Sequence, residues 1–517
     1  MTDGLQHPSR FAAEFPDRAA VIMANTGEIL TYGDLERRSR RVANLLRSLG
    51  CRPGDHVAVL VENRLEWFEI IWGAMRAGIL ITPINWHLAP DEAAYIVEDC
   101  GASVLIASAD LNDVVNKLVD QGGGMSGRFV VGGTLPGFTS YDEAVTDQPT
   151  SRPTDECEGN WMFYSSGTTG RPKGIKPPSV GEPLGGSTPF VMLVQGLYEA
   201  GEDTVYLSPA PLYHAAPAGW STSIQRLGGT VVVMDGFDAH KVLELIETYG
   251  VTHAQFVPTH LIRLLKLSAG ERSSFDLSSL RVVIHAAAPC PPEVKRAVIQ
   301  WLGPVVYEYY SGSEGVGFCA IGSEEWLAHP GSVGRSLMGA VHIIGPDGDE
   351  LATGTEGQVW FESASQFEYH GDPAKTAEAY NSRGWSTLGD IGYVDDEGYL
   401  YLTDRMSNMI ISGGVNVYPR EVEDDLVMHP SVADVAVIGI PDPDLGEAVR
   451  AVVRLRDGEP SEALAEELIE FSRTRIAHFK CPRSVIFVDA LPRLPTGKLA
   501  KRLLSPAILA GEDSASV

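Results

Sequence analysis

The sequence predicts an α/β protein: a large N-terminal α/β domain built from several subdomains, and a small C-terminal α+β domain. The chain has 517 residues, more than the roughly 250–300 that one hydrophobic core usually serves. Short apolar runs alternate with amphipathic helical patterns over most of its length. Beyond residue 409 the same patterns recur in a shorter block. This alternation of strands and helices is typical of α/β architecture.

The N-terminal part alternates from residue 31 onward. Residues 32–49 place apolar side chains on a helical repeat that stops at Gly50, 57–61 predict a strand, and 67–77 predict a second helix. Further strands are predicted at 104–107, 129–131, 205–207, 230–234, 254–257 and 282–285.

The C-terminal part predicts a compact unit of its own. Helical patterns and apolar strand-like runs follow one another without a long linker. The predicted helices are 420–429 and 462–476, and the predicted strands are 432–440, 448–455 and 484–488.

Composition excludes several classes of partner. There are 68 acidic against 40 basic residues, and the net charge of −28 would repel nucleic acid and anionic lipid. Six scattered cysteines without a C-x-x-C pair indicate neither a zinc site nor a disulfide framework. Residues 1–18 lack the apolar segment of a signal peptide, and no apolar stretch reaches membrane-spanning length. We therefore expect a cytoplasmic protein without a transmembrane segment, while the choice between monomer and homodimer stays open.

The most informative stretch is 164–174, which reads Tyr-Ser-Ser-Gly-Thr-Thr-Gly-Arg-Pro-Lys-Gly. Glycines allow main-chain N–H groups to approach phosphate oxygens, hydroxyls donate further hydrogen bonds, and a lysine supplies a cation. The spacing differs from that of a P-loop NTPase, because Gly174 stands where a hydroxyl would follow Lys173. A surface linker would explain the glycines but not the lysine. The stretch predicts a polyphosphate-binding loop.

This loop resembles the signature loop of adenylate-forming enzymes, which include acyl-CoA synthetases, firefly luciferase and peptide-synthetase adenylation domains. The resemblance implies ATP and Mg²⁺ as ligands, and Thr168 as a contact to the metal. The implied ATP-binding residues of the loop are Ser165, Ser166, Gly167, Thr168, Thr169, Gly170 and Lys173.

Downstream stretches match the same family in the same order. His214, in the sequence Pro-Leu-Tyr-His, takes the place of the family's histidine near the acyl-adenylate, with a structural histidine as the alternative. Ala287 lies in a small-residue turn that would face adenine. The stretch 307–314 resembles the motif Y-G-x-T-E, which implies Tyr310 on the adenine, Ser313 at the α-phosphate and Glu314 on Mg²⁺.

Two further residues are implied for ribose and one for a hinge. Asp390 follows Leu388-Gly389, where the family has T-G-D, and Arg405 follows Thr403-Asp404. The family's hinge lies two residues after this arginine, at Ser407, where most members have Asp or Lys. We accordingly predict an ATP- and acid-binding domain at 1–404, a hinge at 405–408 and a mobile C-terminal domain at 409–517.

The C-terminal part supplies the remaining predicted site residues. Lys498, within Pro-Thr-Gly-Lys, matches the family's catalytic lysine. Gly413 and Gly414 would leave room for a pantetheine tunnel. Phe479, with the basic side chains that follow it, would meet the coenzyme A nucleotide.

The predicted reaction joins a small-molecule carboxylic acid to coenzyme A at the expense of ATP, through an acyl-AMP intermediate, with Lys498, His214 and Glu314 as catalytic residues. The stretches expected to line the acid pocket contain no Arg or Lys, which favours a medium- or long-chain fatty acid or a sterol side-chain acid. The alternatives are an aryl acid–CoA ligase, an acyl-AMP ligase feeding a carrier protein, an inactive nucleotide-binding homologue and a kinase-like enzyme.

Overall fold

The structure, a computed structural model, describes most of the chain as two compact units. The first unit contains Met1–Phe256, Leu267–Ile284 and Gln366–Glu378, and the second contains Val257–Lys266, His285–Ser365 and Ala379–Val517. The described residues are 5–121, 124–165, 172–177, 180–363, 365–405, 408–412, 415–442, 445–493, 499, 501 and 504.

The first unit holds a parallel sheet of six strands. Its central strands are buried at every position except the partly exposed His56, as expected when helices cover both faces of a parallel sheet. The predicted strands at 57–61 and 104–107 are its members His56–Leu60 and Val104–Ser108. In spatial order the strands are Thr139–Ser140, Gly127–Val131, Val104–Ser108, His56–Leu60, Leu80–Pro83 and Asn160–Trp161.

A second group of strands in this unit pairs residues far apart in sequence. Val21 of the strand Ala19–Met23 lies beside Val231 in parallel register. This N-terminal strand was not predicted from the sequence. The spatial order is Ile29–Thr31, Ala19–Met23, Thr230–Val233, Val205–Ser208, His253–Phe256 and Val282–His285.

The helices of the first unit begin at recognisable caps. The side chain of Thr31 accepts a hydrogen bond from the Asp34 N–H, which starts Tyr32–Ser48 one residue after the cap. Helix Leu65–Arg76 is apolar on nearly every face and is buried almost throughout. The other helices are Pro8–Glu14, Pro90–Asp99, Asn112–Gln121, Tyr141–Thr146, Pro189–Gly196, Ala215–Arg226, Ala239–Tyr249, Ala269–Ser273 and Pro373–Glu378, with a 3₁₀ turn at Ala109–Leu111.

The second unit contains a group of antiparallel strands that positions several predicted site residues. These strands were not predicted from the sequence. In Ser332–Met338 and Asp390–Val394, exposed or half-buried positions interrupt the apolar runs that mark buried strands. The spatial order is Val306–Ser311, Phe318–Ile321, Ser332–Met338, Leu400–Arg405, Asp390–Val394, Gly357–Glu362 and Ala340–Ile344. The accompanying helices are Pro258–Leu265, Pro292–Leu302 and Ser323–Ala328.

The C-terminal part of the second unit is a smaller α+β layer. Its long strands Val432–Asp442 and Gly446–Leu455 are antiparallel, and Ser484–Phe487 pairs in parallel with the second of them. Helices Pro419–Leu426 and Glu462–Arg473 accompany this sheet, with a core that includes Leu426, Val437 and Leu468. The short strands Ile410–Ser412 and Val415–Val417 complete it. These elements follow the predicted order.

Over the residues that the structure describes, no helix combines the length and apolar character needed to cross a lipid bilayer.

Candidate active site

The two ends of the predicted phosphate loop are joined as a β-hairpin. Strand Tyr164–Ser165 pairs with Lys173–Lys176, with Ser165 opposite Lys173 and Tyr164 opposite Gly174. A Cβ on Gly174 would lie 3.0 Å from the Tyr164 ring, so only glycine fits without displacing it. The loop residues Ser166, Gly167, Thr168, Thr169 and Gly170 lie outside the described residues.

Lys173 forms an ion pair that the sequence did not predict. Its Nζ lies 2.7 Å from Asp372 Oδ2 and 5.9 Å from the centre of the Tyr369 ring. The hydrogen bond from Lys173 contributes most to holding the pKa of the Asp372 carboxyl below its ordinary value. Strand Glu368–Tyr369 brings Asp372 close, because it pairs with Lys173–Lys176 through Ile175 and Tyr369.

Asp372 uses its two carboxylate oxygens for two tasks. Oδ1 accepts a hydrogen bond of 2.9 Å from the Lys375 N–H, at the start of helix Pro373–Glu378, while Oδ2 faces Lys173. The sequence signal was available: an aspartate directly before a proline is typical of a helix N-cap followed by the first helical residue.

We expect Asp372→Asn to leave the melting temperature nearly unchanged and Asp372→Ala to lower it by about 2–4 °C. Asparagine can still cap the helix, whereas alanine cannot, and an ion pair between two partly exposed side chains adds little stability. Thermal unfolding of both variants at equal protein concentration measures the difference. An equal loss in both would mean that the ion pair, rather than the cap, stabilises this segment.

His214 occupies the N-cap position of the buried helix Ala215–Arg226, with extended backbone dihedrals and without a side-chain capping hydrogen bond. Its ring centre lies 4.1 Å from that of Tyr213, which in turn meets Trp86 edge-on at 4.5 Å. Burial raises the pKa of the Tyr213 hydroxyl. The predicted histidine therefore stands in an aromatic environment at the start of a buried helix, while its catalytic role stays a prediction.

Ala287 has an unusual backbone conformation, with φ at +72°. It follows the buried strand Val282–His285, at the small-residue turn predicted to face adenine. Residues with a Cβ rarely adopt positive φ, and such strain typically costs on the order of 1–3 kcal/mol. The sequence indicated a turn here but gave no sign of the left-handed conformation.

Tyr310 and Asp390 are brought together by the second unit. The Tyr310 hydroxyl donates a hydrogen bond of 2.5 Å to Asp390 Oδ2, although 80 residues separate the two in sequence. Asp390 is buried at the start of strand Asp390–Val394, and its backbone lies opposite that of Arg405 in the antiparallel register. The residues predicted to bind adenine and ribose therefore form one cluster. It consists of the Tyr310 hydroxyl, the Asp390 carboxylate and the adjacent backbone of Arg405.

Ser313 and Glu314 occupy a tight turn beyond strand Val306–Ser311, closed by a hydrogen bond of 3.1 Å from the Gly315 N–H to the Gly312 carbonyl. A Cβ on Gly312 would come within 2.6 Å of Glu314 Oε2 and 2.7 Å of Leu388 Cδ2. A side chain at 312 would therefore displace the flexible ends of Glu314 and Leu388, and Leu388, which departs from the family motif, packs at this turn. The half-buried Glu314 carboxylate is a hard oxygen ligand of the kind that Mg²⁺ takes.

We expect Asp390→Ala to raise the KM for ATP about 10- to 100-fold, because it removes a carboxylate predicted to accept hydrogen bonds from the ribose hydroxyls. Initial rates over a range of ATP concentrations measure the effect, and Tyr310→Phe is the control because it removes only the hydroxyl. An unchanged KM for ATP in Asp390→Ala would contradict the ribose assignment.

The C-terminal candidates are only partly described. Lys498, Ser407, Gly413 and Gly414 lie outside the described residues. Phe479 is 53% exposed, and the Lys480 Nζ lies 5.7 Å from its ring centre while also pairing with Glu421 at 2.6 Å. An exposed aromatic ring with an adjacent cation suits a nucleobase, but the role of Phe479 stays a prediction.

Comparison with known proteins decides the family. The model of the AMP-binding enzyme family matches residues 9–368, and that of the AMP-binding enzyme C-terminal domain matches 421–498. The chain belongs to the AMP-binding enzyme family. This confirms the adenylate-forming family expected from the motifs, together with an α/β fold of a large N-terminal and a smaller C-terminal domain. It also confirms the enzyme class, an AMP-forming acid–thiol ligase.

Relatives of this adenylate-forming enzyme match it over nearly its whole length. It is 35% identical over 499 residues to a feruloyl-CoA synthase from Amycolatopsis sp, covering 96% of each chain. It is 34% identical over 497 residues to a long-chain-fatty-acid–CoA ligase of Mycobacterium tuberculosis, covering 95% of each chain. Among solved structures, an anthranilate CoA ligase in complex with anthranoyl-AMP superposes with a TM-score of 0.84 at 27% identity, covering 97% of each chain.

Proposed function

We propose that this adenylate-forming enzyme activates an apolar monocarboxylic acid as its acyl-AMP and then transfers the acyl group to coenzyme A. The observation that carries the proposal is the Tyr310–Asp390 cluster, which lies where the family motifs expect adenine and ribose. The backbone pairing of Ser165 with Lys173, which joins the two ends of the predicted phosphate loop, gives the proposal further support.

The first half-reaction needs a nucleophile, a leaving group and charge neutralisation. The acid's carboxylate oxygen attacks the α-phosphorus of ATP, the bond to the bridging oxygen breaks, and pyrophosphate leaves with that oxygen. Lys173 and the loop hydroxyls would hold the leaving phosphates, and Lys498 would stabilise the charge that builds up between carboxylate and α-phosphate. Mg²⁺ held by Glu314 would neutralise phosphate charge. These groups position and stabilise; none forms a covalent intermediate.

The second half-reaction transfers the acyl group to sulfur. The coenzyme A thiolate attacks the carbonyl carbon of the acyl-AMP, and AMP leaves with the anhydride oxygen. Gly413 and Gly414 would admit the pantetheine arm, and Phe479 would stack on the adenine of coenzyme A. Because Lys498 serves only the first step, the C-terminal domain would rotate at Ser407 between the two.

The character of the acid is argued from the surroundings of His214. The His214 ring lies 4.1 Å from that of Tyr213, and the Tyr213 ring meets the half-buried Trp86 edge-on at 4.5 Å. An aromatic wall of this kind favours apolar carbon over a second carboxylate. We therefore propose a medium- or long-chain fatty acid or a sterol side-chain acid, with an aryl acid as the second candidate because aromatic rings also stack on such a wall.

Product analysis tests the proposal. The enzyme is incubated with Mg·ATP and a panel of acids from acetate to sterol-sized, each with and without coenzyme A, and the nucleotides are separated. We expect AMP that depends on one class of acid and whose steady turnover needs coenzyme A. AMP formation indifferent to coenzyme A would favour an acyl-AMP ligase that serves a carrier protein. Formation of ADP would indicate kinase-like chemistry, and no acid dependence would overturn the ligase.

A further inference from the structure

An ion pair is buried beneath the proposed nucleotide site in the second unit. Lys295 Nζ lies 2.6 Å from Glu308 Oε2, with the lysine side chain 0% and the glutamate side chain 8% exposed. The Lys295 ammonium also lies 4.9 Å from the centre of the Trp326 ring. Burial alone would raise the pKa of the Glu308 carboxyl, but the charge and hydrogen bond of Lys295, together with His285 and Arg420, outweigh it and hold the pKa below its ordinary value.

The same carboxylate oxygen faces a third side chain. His285 Nε2 lies 3.6 Å from Glu308 Oε2, and neither ring nitrogen has a hydrogen-bond partner among the described residues. Burial lowers the pKa of His285 to about 4, so the ring is neutral at pH 7. One oxygen of Glu308 therefore meets side chains from two other elements of the fold.

Two members of this cluster, Glu308 and His285, each lie two residues from a predicted residue of the nucleotide site. Glu308 precedes Tyr310 by two positions on strand Val306–Ser311, which places both side chains on the same face. His285 ends strand Val282–His285, two residues before Ala287 with its positive φ. Lys295 comes from helix Pro292–Leu302, the element that directly follows this turn.

A buried ion pair of this kind is a weak source of stability. Removing two charges from water costs about as much as their attraction returns, and apolar side chains of similar volume often serve as well. What the pair supplies instead is a fixed geometry, because a carboxylate held at 2.6 Å by an immobile ammonium cannot shift without leaving a buried charge unpaired.

We propose that Lys295 and Glu308 are positioning residues for the nucleotide: their ion pair fixes the strand that presents Tyr310 and the turn that presents Ala287. The inference rests on the proposed function for the identity of the ligand, ATP. Neither side chain would touch the nucleotide, yet their ion pair would influence how tightly ATP binds.

The test compares ATP affinity with stability in a double-substitution cycle. Lys295→Met and Glu308→Gln are made singly and together, and ATP binding is measured by isothermal titration calorimetry beside thermal unfolding. The single Lys295→Met leaves a buried carboxylate unpaired, so we expect a marked loss of stability or failure to fold. The double variant keeps side-chain volume without charge, so we expect it to fold with a melting temperature near that of the wild type.

In the folded double variant we expect the Kd for ATP to rise about tenfold or more. A matched control is the double variant Arg226→Met/Glu158→Gln, which neutralises a buried ion pair within the first unit and should leave the Kd for ATP unchanged. Wild-type ATP affinity in Lys295→Met/Glu308→Gln would overturn the proposal, and so would equal losses of affinity in the two double variants. Wild-type protein that binds ATP yet forms no acid-dependent AMP would refute the proposed function alone.

Discussion

Replacing Lys498 with alanine is expected to lower the rate of acyl-AMP formation about 10²-fold, equivalent to roughly 3 kcal/mol of lost transition-state stabilisation. The proposed role of this ammonium is confined to the first half-reaction, where negative charge accumulates between the carboxylate and the α-phosphate. Acid-dependent exchange of pyrophosphate into ATP measures that step. Thioester formation from supplied acyl-AMP measures the second step, which we expect to keep its wild-type rate.

The chain offers a matched control for Lys498. Lys501 lies three residues further along, and its Nζ pairs with Glu423 at 2.7 Å. Lys501→Ala removes the same charge from the same terminal segment and should leave adenylation within about twofold of the wild type, as expected of a partly exposed ion pair. Equal loss of both half-reactions in Lys498→Ala, or a similar loss in Lys501→Ala, would contradict a specific role for Lys498 in adenylation.

Gly413→Trp is expected to block transfer to coenzyme A while leaving acyl-AMP formation intact. If the absence of a side chain at this position makes room for pantetheine, an indole should obstruct the thiol, and displacement of a reacting atom by an ångström can cost on the order of 10²-fold in rate. The two half-reactions are assayed separately, as for Lys498. Together the two variants predict opposite patterns, one losing adenylation and the other losing thiolysis.

A graded series gives the control for Gly413. Gly413→Ala adds one methyl group and should slow thiolysis far less than the indole does, which separates obstruction from loss of folding. Unchanged coenzyme A turnover in Gly413→Trp would refute the tunnel, and a common loss of both half-reactions would point to misfolding of the C-terminal domain instead. Thermal unfolding of each variant distinguishes these outcomes.

Local patterns in the sequence were sufficient to predict many of the helices and strands. Helix Tyr32–Ser48 follows from its apolar repeat and from the capping residue Thr31, and its predicted end was one residue too late. The parallel strands His56–Leu60 and Val104–Ser108 were predictable because they consist almost entirely of buried apolar residues, whereas the similarly buried strand Ala19–Met23 was missed. The antiparallel strands Ser332–Met338 and Asp390–Val394 were not predictable, because partly exposed positions interrupt their apolar pattern.

Long-range pairing limited what could be predicted about the site. Motif spacing identified Tyr310 and Asp390 separately, yet their hydrogen bond depends on strand pairing across 80 residues. The Lys173–Asp372 pair spans 199 residues. Lys173 belongs to the predicted phosphate loop, but Asp372 belongs to none of the motifs identified in the sequence. Likewise, the ion pair between Glu308 and Lys295 could not be predicted from the sequence, because the two residues lie on different elements, a strand and a helix.

The hairpin that pairs Ser165 with Lys173 has a consequence for the entropy of nucleotide binding. Bringing the two ends of a loop together lowers the conformational entropy of the chain. Here the backbone pairing of Ser165 with Lys173 brings them together during folding, before any ligand binds. Because the flanking residues are already paired, this part of the ordering cost does not oppose the binding of ATP. Affinity for ATP should therefore respond to the strength of the hairpin stem, including the close approach of the Tyr164 ring to the Gly174 backbone, although neither residue need touch a phosphate.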